Sequence, residues 1–164
     1  MSRRIILMLA LLTLLIALPA ARSASALVGR VIHVSDGDTV VILTAKREEV
    51  KIRLHGIDCP ESGQAFGMAA KRQMLDLAGG KDVTVVPMST DRYGRTVGEV
   101  FLSDGTSLNK TLVSTGYAWW YQRYAPHDIE LSALEAEARR VRRGLWADTA
   151  PTPPWEWRKE KSRR

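Results

Sequence analysis

The sequence predicts an α+β domain in which a small closed β-barrel carries packed helices. Three observations lead there. Short β-branched, apolar segments separated by turn residues recur from Val28 onward. Helix-period stretches interrupt them after the third strand and again toward the end. The chain has 164 residues, 45% hydrophobic and 26% charged, which suits one domain and excludes a disordered chain or a multi-span membrane protein. A single cysteine, Cys59, excludes an intrachain disulfide and a cysteine-rich zinc site.

The first segment reads as a leader rather than as fold. Arg3 and Arg4 precede a run from Ile5 to Leu18 that is apolar except for Thr13 and too short for a comfortable bilayer span. Pro19 breaks it, and Ala24-Ser25-Ala26 supplies small residues for cleavage. This is the order of a secretory signal, with the cut placed after Ala26 and residues 1–26 removed. An uncleaved membrane anchor is the alternative. The mature protein is then expected to be exported, periplasmic or extracellular, with no membrane span left and a monomer as the default. Without the leader the formal charge falls from +6 to +3, and the tail from Trp155 to Arg164 carries all of that excess. Overall charge is therefore weak evidence for an anionic partner, and any such reading must rest on particular residues.

The elements follow in order. Val28–Val34 reads as a strand, Asp36-Gly37-Asp38 as a turn, and Thr39–Leu43 as a second strand. Val50, Ile52 and Leu54 alternate with Lys51, Arg53 and His55, which puts Arg53 on the face opposite the apolar one. From Ser62 the period becomes helical, with Phe66, Ala70, Met74 and Leu77 on one stripe and Gly79-Gly80 as the stop. Val83–Val86 is a strand ended by Pro87. Asp91-Arg92-Tyr93-Gly94 is a turn into a strand from Arg95 to Leu102. Leu108 and Leu112 mark a short helix closed by Gly116, and Tyr117–Tyr121 a short aromatic strand. His127–Arg143 is the clearest helix, with Leu131, Leu134, Ala138 and Val141 on its stripe, Leu145 continuing it, and Glu135–Arg139 as a favourable pair. The remainder, residues 147–164, is Pro-rich and then basic. No internal repeat is visible.

Acids recur in two tight clusters, Asp36-Gly37-Asp38-Thr39 and Ile57-Asp58-Cys59-Pro60-Glu61, each at a strand end. Hard oxygen donors of this type suit Ca²⁺ or Mg²⁺. Alone, each cluster is an ordinary turn or strand exit. Combined with Arg53 and Arg95, they make a sufficient hydrolytic kit for a phosphodiester. Guanidinium forks match phosphate oxygens, a cation adds Lewis acidity, and a free carboxylate handles water. The bland alternative pairs both arginines with nearby surface acids.

These elements together resemble the staphylococcal nuclease (thermonuclease) family. The resemblance rests on Asp36–Thr39, on Arg53-Leu54 with Ile57–Glu61, and on Asp91–Arg95, in the family's order and spacing from about Val28 to Trp146. It implies a five-stranded OB barrel with three helices over residues 27–146. Asp38, Asp58 and the backbone carbonyl of Cys59 are the implied ligands of Ca²⁺, with Mg²⁺ substitution left open. Glu61 is implied to handle the nucleophilic water, and Arg53 and Arg95 to bind the scissile phosphate. Arg92 and Tyr93 fall where the family contacts a terminal phosphate, and Tyr121 and Tyr124 where aromatic residues flank the nucleotide. The implied activity is cleavage of single-stranded DNA and RNA with little sequence specificity, leaving 3′-phosphate ends. The connection from Ser62 to Gly67 is short where the best-known member has a mobile basic loop. A non-catalytic OB module that binds nucleic acid or protein is the alternative, and the full set Arg53, Asp58, Glu61 and Arg95 speaks against it.

Other candidates reduce to structure. His33, His55 and His127 have no metal-ligand spacing, and Cys59 has no base partner. Trp119 and Trp120 are adjacent in a strand, so at least one belongs in the core. Trp155-Glu156-Trp157 after three prolines reads as an apolar cap on the barrel, with a partner-binding tail second and an envelope anchor third. Arg139, Arg140, Arg142 and Arg143 read as a solvated helix face.

Overall fold

The computed structural model describes residues 25–163. Nearly all of the expected leader, residues 1–24, lies outside them. The strands are β1 (Leu27–Asp36), β2 (Thr39–Thr44), β3 (Glu49–Leu54), β4 (Ile57–Asp58), β5 (Asp82–Thr90), β6 (Thr96–Leu102) and β7 (Trp119–Trp120). The helices are α1 (Gly67–Ala78), α2 (Leu108–Ser114), α3 (Ile129–Arg140) and α4 (Pro154–Lys161), with a 3-10 turn at Gly144–Ala147. β1, β2 and β3 form an antiparallel meander, and β5 and β6 a hairpin. Antiparallel β1–β5 and parallel β3–β6 pairing close the barrel in the order β1-β2-β3-β6-β5. β4 and β7 form a separate small antiparallel pair beside it.

The period of two does what the sequence predicts. Val40 and Ile42 of β2 and Ile52 and Leu54 of β3 are all but fully buried in the barrel, and Arg53 points the other way. Helix α1 closes one side with Ala70, Met74 and Ala78, whose small and flexible side chains let it lie close on β1. A second, smaller core gathers Trp119, Ala138, Leu145 and Trp146, with Phe66 and Trp155 packed against it. Trp119 meets Trp146 edge-on at 4.4 Å, and the Arg139 guanidinium lies 3.9 Å from the Trp146 ring centroid, so Arg139 is a packed residue and not simply a solvated one. Among the described residues, no helix is long and apolar enough to cross a membrane.

Several expectations are corrected. Helix α1 starts at Gly67 and not near Ser62, because Phe66 is left-handed (φ 65°) and residues 61–67 form two turns, with Gln64 N–H on the Glu61 carbonyl and Gly67 N–H on the Gln64 carbonyl. β5 runs through Pro87 to Thr90. Its ladder with β1 ends at Val85, so Pro87 stands where the strand is an edge and a missing N–H is tolerated, at a register shift. The aromatic strand shrinks to β7. Helix α3 spans only Ile129–Arg140. The Asp128 side chain caps it by accepting from Leu131 N–H, and left-handed Arg142 and Gly144 turn the chain away, leaving Val141 38% exposed and moving Leu145 to the 3-10 turn. The three helices expected on the barrel are α1, α2 and α3, and among the described residues a fourth, α4, lies beyond residue 146. The fourth forms in the Pro-rich tail, where Pro154 at its first turn costs no hydrogen bond and Lys159 and Lys161 sit at its C-terminal end.

Candidate active site

The site forms where the β1–β2 turn meets the exit of β3. Gly37 lies so close to Cys59 and Ala70 that an added Cβ would come within 2.8 Å of each, so only glycine lets the turn nest there. That contact brings Asp38 beside the 57–61 segment. Asp38 is 5% exposed. Its Oδ1 accepts from Thr39 Oγ1 at 3.0 Å, and its Oδ2 accepts from Cys59 N–H at 2.7 Å. Asp38 N–H in turn donates to Asp36 Oδ1 at 3.2 Å.

Arg53 reaches this cluster from the outer face of β3. Its Nη2 donates to Asp58 Oδ1 at 2.8 Å and pairs with Asp38 Oδ2 at 3.1 Å. Its Nη1 donates to the carbonyls of Leu54 and Ile57 at 2.7 and 2.9 Å. Both metal-type carboxylates thus converge on one guanidinium nitrogen. Glu61 lies at the mouth with its side chain 41% exposed, and its N–H donates to Gln64 Oε1. A further cation, Arg158 of α4, enters from the tail. Its Nη2 donates to Asp58 Oδ2 at 2.7 Å, and its Nη1 donates to Glu61 Oε1 at 2.7 Å and to Asp58 Oδ1 at 3.3 Å.

The electrostatics follow from crowding. Burial, then the neighbouring Asp38 charge, pushes the Asp36 carboxyl up to about 7. Burial also raises Asp58, with Asp38 adding to it and Arg158 and Arg53 opposing. Burial alone would lower the Arg53 guanidinium, but Asp38 and Asp58 raise it. Burial lifts the Cys59 thiol well above its usual range, so Cys59 is no nucleophile and serves by its backbone.

The residues fit a hard divalent cation. Asp38, Asp58 and Glu61 face the two guanidinium groups of Arg53 and Arg158, an excess of one carboxylate among the described residues. No group of three His, Cys, Asp or Glu side chains is placed to enclose an ion among those residues, so a cation held here would have only the carboxylates of Asp38 and Asp58 as side-chain donors and would need backbone carbonyl or water oxygens besides.

Arg95 stands apart. Its Nε donates to Asp91 Oδ2 at 2.6 Å, and its guanidinium lies 5.4 Å from the Tyr93 ring centroid. It makes no hydrogen bond or ion pair with the carboxylate cluster among the described residues. The parallel β3–β6 register pairs Ile52 with Thr96 and Arg53 with Val97, so the turn that carries Arg95 ends immediately before the strand beside Arg53. Arg92 joins the same turn, with Nη2 on the Tyr93 hydroxyl and its guanidinium 4.8 Å from that ring. Tyr93 and Tyr124 are 68% and 62% exposed. Tyr121 packs edge-on against Tyr124 at 4.9 Å and stacks flat on Trp155 at 5.0 Å. One face of Tyr121 is therefore covered by the tail.

Sequence reasoning missed Arg158, Gln64 and the anchoring role of Asp91. The available signal for Arg158 was the spacing of Trp155 and Arg158 after Pro154, an i,i+3 pair at a helix start.

The barrel and this cluster suit a phosphodiester hydrolase, and comparison with known proteins agrees. Residues 51–148 match the family model described as staphylococcal nuclease homologue. An uncharacterized endonuclease of Escherichia coli is 44% identical over 133 residues, covering 81% of this chain and 86% of that protein. A micrococcal nuclease of Shigella flexneri is 41% identical over 140 residues, covering 80% of each. An uncharacterized endonuclease of Haemophilus influenzae is 40% identical over 132 residues, covering 80% of this chain and 72% of that protein. The chain belongs to the staphylococcal nuclease family and is a nuclease, with nucleic acid as its substrate. The family is generally metal-dependent.

Proposed function

We propose that the protein is an exported, Ca²⁺-dependent nuclease that cuts single-stranded DNA and RNA with little sequence specificity and leaves 3′-phosphate ends. The observation that carries this reading is the convergence of Asp38 and Asp58 on Arg53 Nη2 with Glu61 at the mouth. Asp38, Asp58 and the Cys59 carbonyl would hold Ca²⁺. When bound, the ion supplies Lewis acidity at the scissile phosphate. Arg53, fixed by four contacts, presents a preset positive charge to the phosphate's non-bridging oxygens. Glu61 orients or deprotonates the attacking water, since it is the exposed carboxylate of the cluster. Arg95 turns from Asp91 to the same phosphate as negative charge grows there. Arg92, Tyr93 and Tyr124 line the approach of the nucleotide. Breaking the bond to the 5′-oxygen leaves the phosphate on the 3′ side. Recognition through the phosphate reads no base edge, which accounts for low specificity.

The test is hydrolysis of single-stranded DNA and RNA by the purified mature protein in Ca²⁺, in Mg²⁺ and in chelator, with end-group analysis. Glu61→Gln should lower turnover by about 10²–10⁴-fold with Ca²⁺ binding retained. Full activity in chelator, or in Glu61→Gln, overturns the mechanism. Cell fractionation with and without residues 1–26 tests export.

A further inference from the structure

Helix α4 brings a guanidinium onto the carboxylates that the preceding reading gives to the metal. Its position is not that of a wandering surface side chain. Pro154 is buried, Trp155 stacks on Tyr121 and meets Trp119 edge-on at 5.7 Å, and the Thr152 carbonyl accepts from Gln64 Nε2. The tail is thus fastened to the wall of the site one turn before Arg158. From there the Arg158 fork covers Asp58, Nη2 on Oδ2 and Nη1 on Oδ1, and reaches Glu61 with the same Nη1. Arg53 holds Asp58 Oδ1 from the other side. Both oxygens of Asp58 are therefore taken by guanidinium groups.

We propose that Arg158 is the resident counter-cation of the site, seated on Asp58 and Glu61, and that a divalent cation must displace it from Asp58 in order to bind. The inference rests on the reading of Asp58 as a metal ligand. Asp58 already carries two guanidinium groups, and a divalent ion would be a third positive group on a carboxylate whose two oxygens are both taken, so entry of the ion and release of the Arg158 fork are coupled. Arg53 cannot be the group that leaves, because its other hand is tied to two backbone carbonyls inside the cleft. Arg158 can, because its side chain is 42% exposed and faces solvent. Ion affinity is then set partly by the tail, and the released guanidinium lies beside Glu61, where a bound polynucleotide would present phosphate oxygens. The carboxylates stay paired when no ion is bound.

The test is direct calorimetric titration of Ca²⁺ into the mature protein and into Arg158→Gln, Arg158→Lys and Asp58→Asn. Arg158→Gln should bind Ca²⁺ about tenfold more tightly than the parent, the loss of one competing charged hydrogen-bond pair. Arg158→Lys, which keeps the charge without the fork, should fall between. In the parent, Ca²⁺ should also speed tryptic cleavage after Arg158, which the ion pairs protect. Equal or weaker Ca²⁺ binding by a folded Arg158→Gln, with the parent binding and Asp58→Asn not, overturns the inference and leaves the metal reading standing. Ca²⁺-independent cleavage after Arg158 in a parent that binds the ion also overturns it. If neither parent nor Arg158→Gln binds Ca²⁺ or Mg²⁺, the metal reading of Asp58 falls and takes the inference with it.

Discussion

Arg53 and Arg95 are the same residue type on neighbouring segments of the barrel, and the fold treats them in opposite ways. Arg53 rises from the C-terminal end of barrel strand β3, touches two carboxylates and two carbonyls, and leaves 14% of its side chain exposed. Arg95 sits at the end of a turn, ion-pairs with Asp91 alone and leans on an exposed tyrosine. The first is a fixed part of the scaffold, whose charge the buried acids require. The second is held by one partly exposed ion pair, an interaction of modest worth, which leaves it the freer of the two to change partner. Preset charge and adjustable charge thus come from different regions, the barrel wall and the 91–95 turn.

The largest break in this comparison is Arg53→Gln. It leaves Asp38 and Asp58 buried without their shared cation, and the expected cost is about 3–5 kcal/mol of stability together with loss of activity, read by thermal unfolding and by hydrolysis. Added Ca²⁺ should recover part of the melting temperature and none of the turnover. Arg95→Lys should split these effects. The charge stays and the fork goes, so turnover should fall about 10²-fold or more while unfolding moves by less than about 0.5 kcal/mol. Near-normal turnover would remove Arg95 from the reacting centre.

The smallest expected effect sharpens the scaffold side. The Asp36 carboxyl titrates at about 7 in the fold against 3.8 free, so the folded chain holds that proton more tightly than the unfolded one. The stability it contributes is full below about pH 4 and is lost as pH rises through 7. Asp36→Asn should therefore raise the melting temperature at pH 8 by a few degrees, about 3 °C, and change little at pH 4. A divalent ion should shrink that difference, since it favours the charged cluster. Melting curves at the two pH values, with and without Ca²⁺, decide it.

The fold was legible where the signal is local. Alternation in Val50–Leu54 named the buried face of β3 and the outward face of Arg53. The glycine between Asp36 and Asp38 gave the turn. What sequence could not show depends on contacts across the chain. Ile57–Asp58 becomes a strand only because Trp119–Trp120 lies beside it, and two residues have no period to read. Pro87 reads as a stop unless one knows that β1 begins opposite Val85 and leaves Pro87 unpaired on that side. The left-handed residues Phe66 and Arg142, which shift the starts and ends of α1 and α3, are not glycines and carry no mark. In the site, the grouping of Arg53 with Asp38, Asp58 and Glu61 was suggested by the two acid clusters combined with the arginines and by the family resemblance. The placement of Arg95 on Asp91 and of Arg158 on Asp58 was not, because each choice among competing carboxylates is made by packing.

The parallel contact of β3 with β6 also imposes an order in time. Residues 52–54 wait for residues 96–98 before the barrel can close, and His55 N–H waits for the Gly98 carbonyl. Pairing across so long a loop is slow compared with the hairpins on either side. A nascent chain shorter than about 100 residues therefore carries Asp38, Arg53, Asp58 and Glu61 with no closed wall to hold them together. An enzyme that attacks nucleic acid is made in the presence of nucleic acid, on the ribosome itself. The barrel wall behind these residues is complete only once residues 96–98 have been added to the chain.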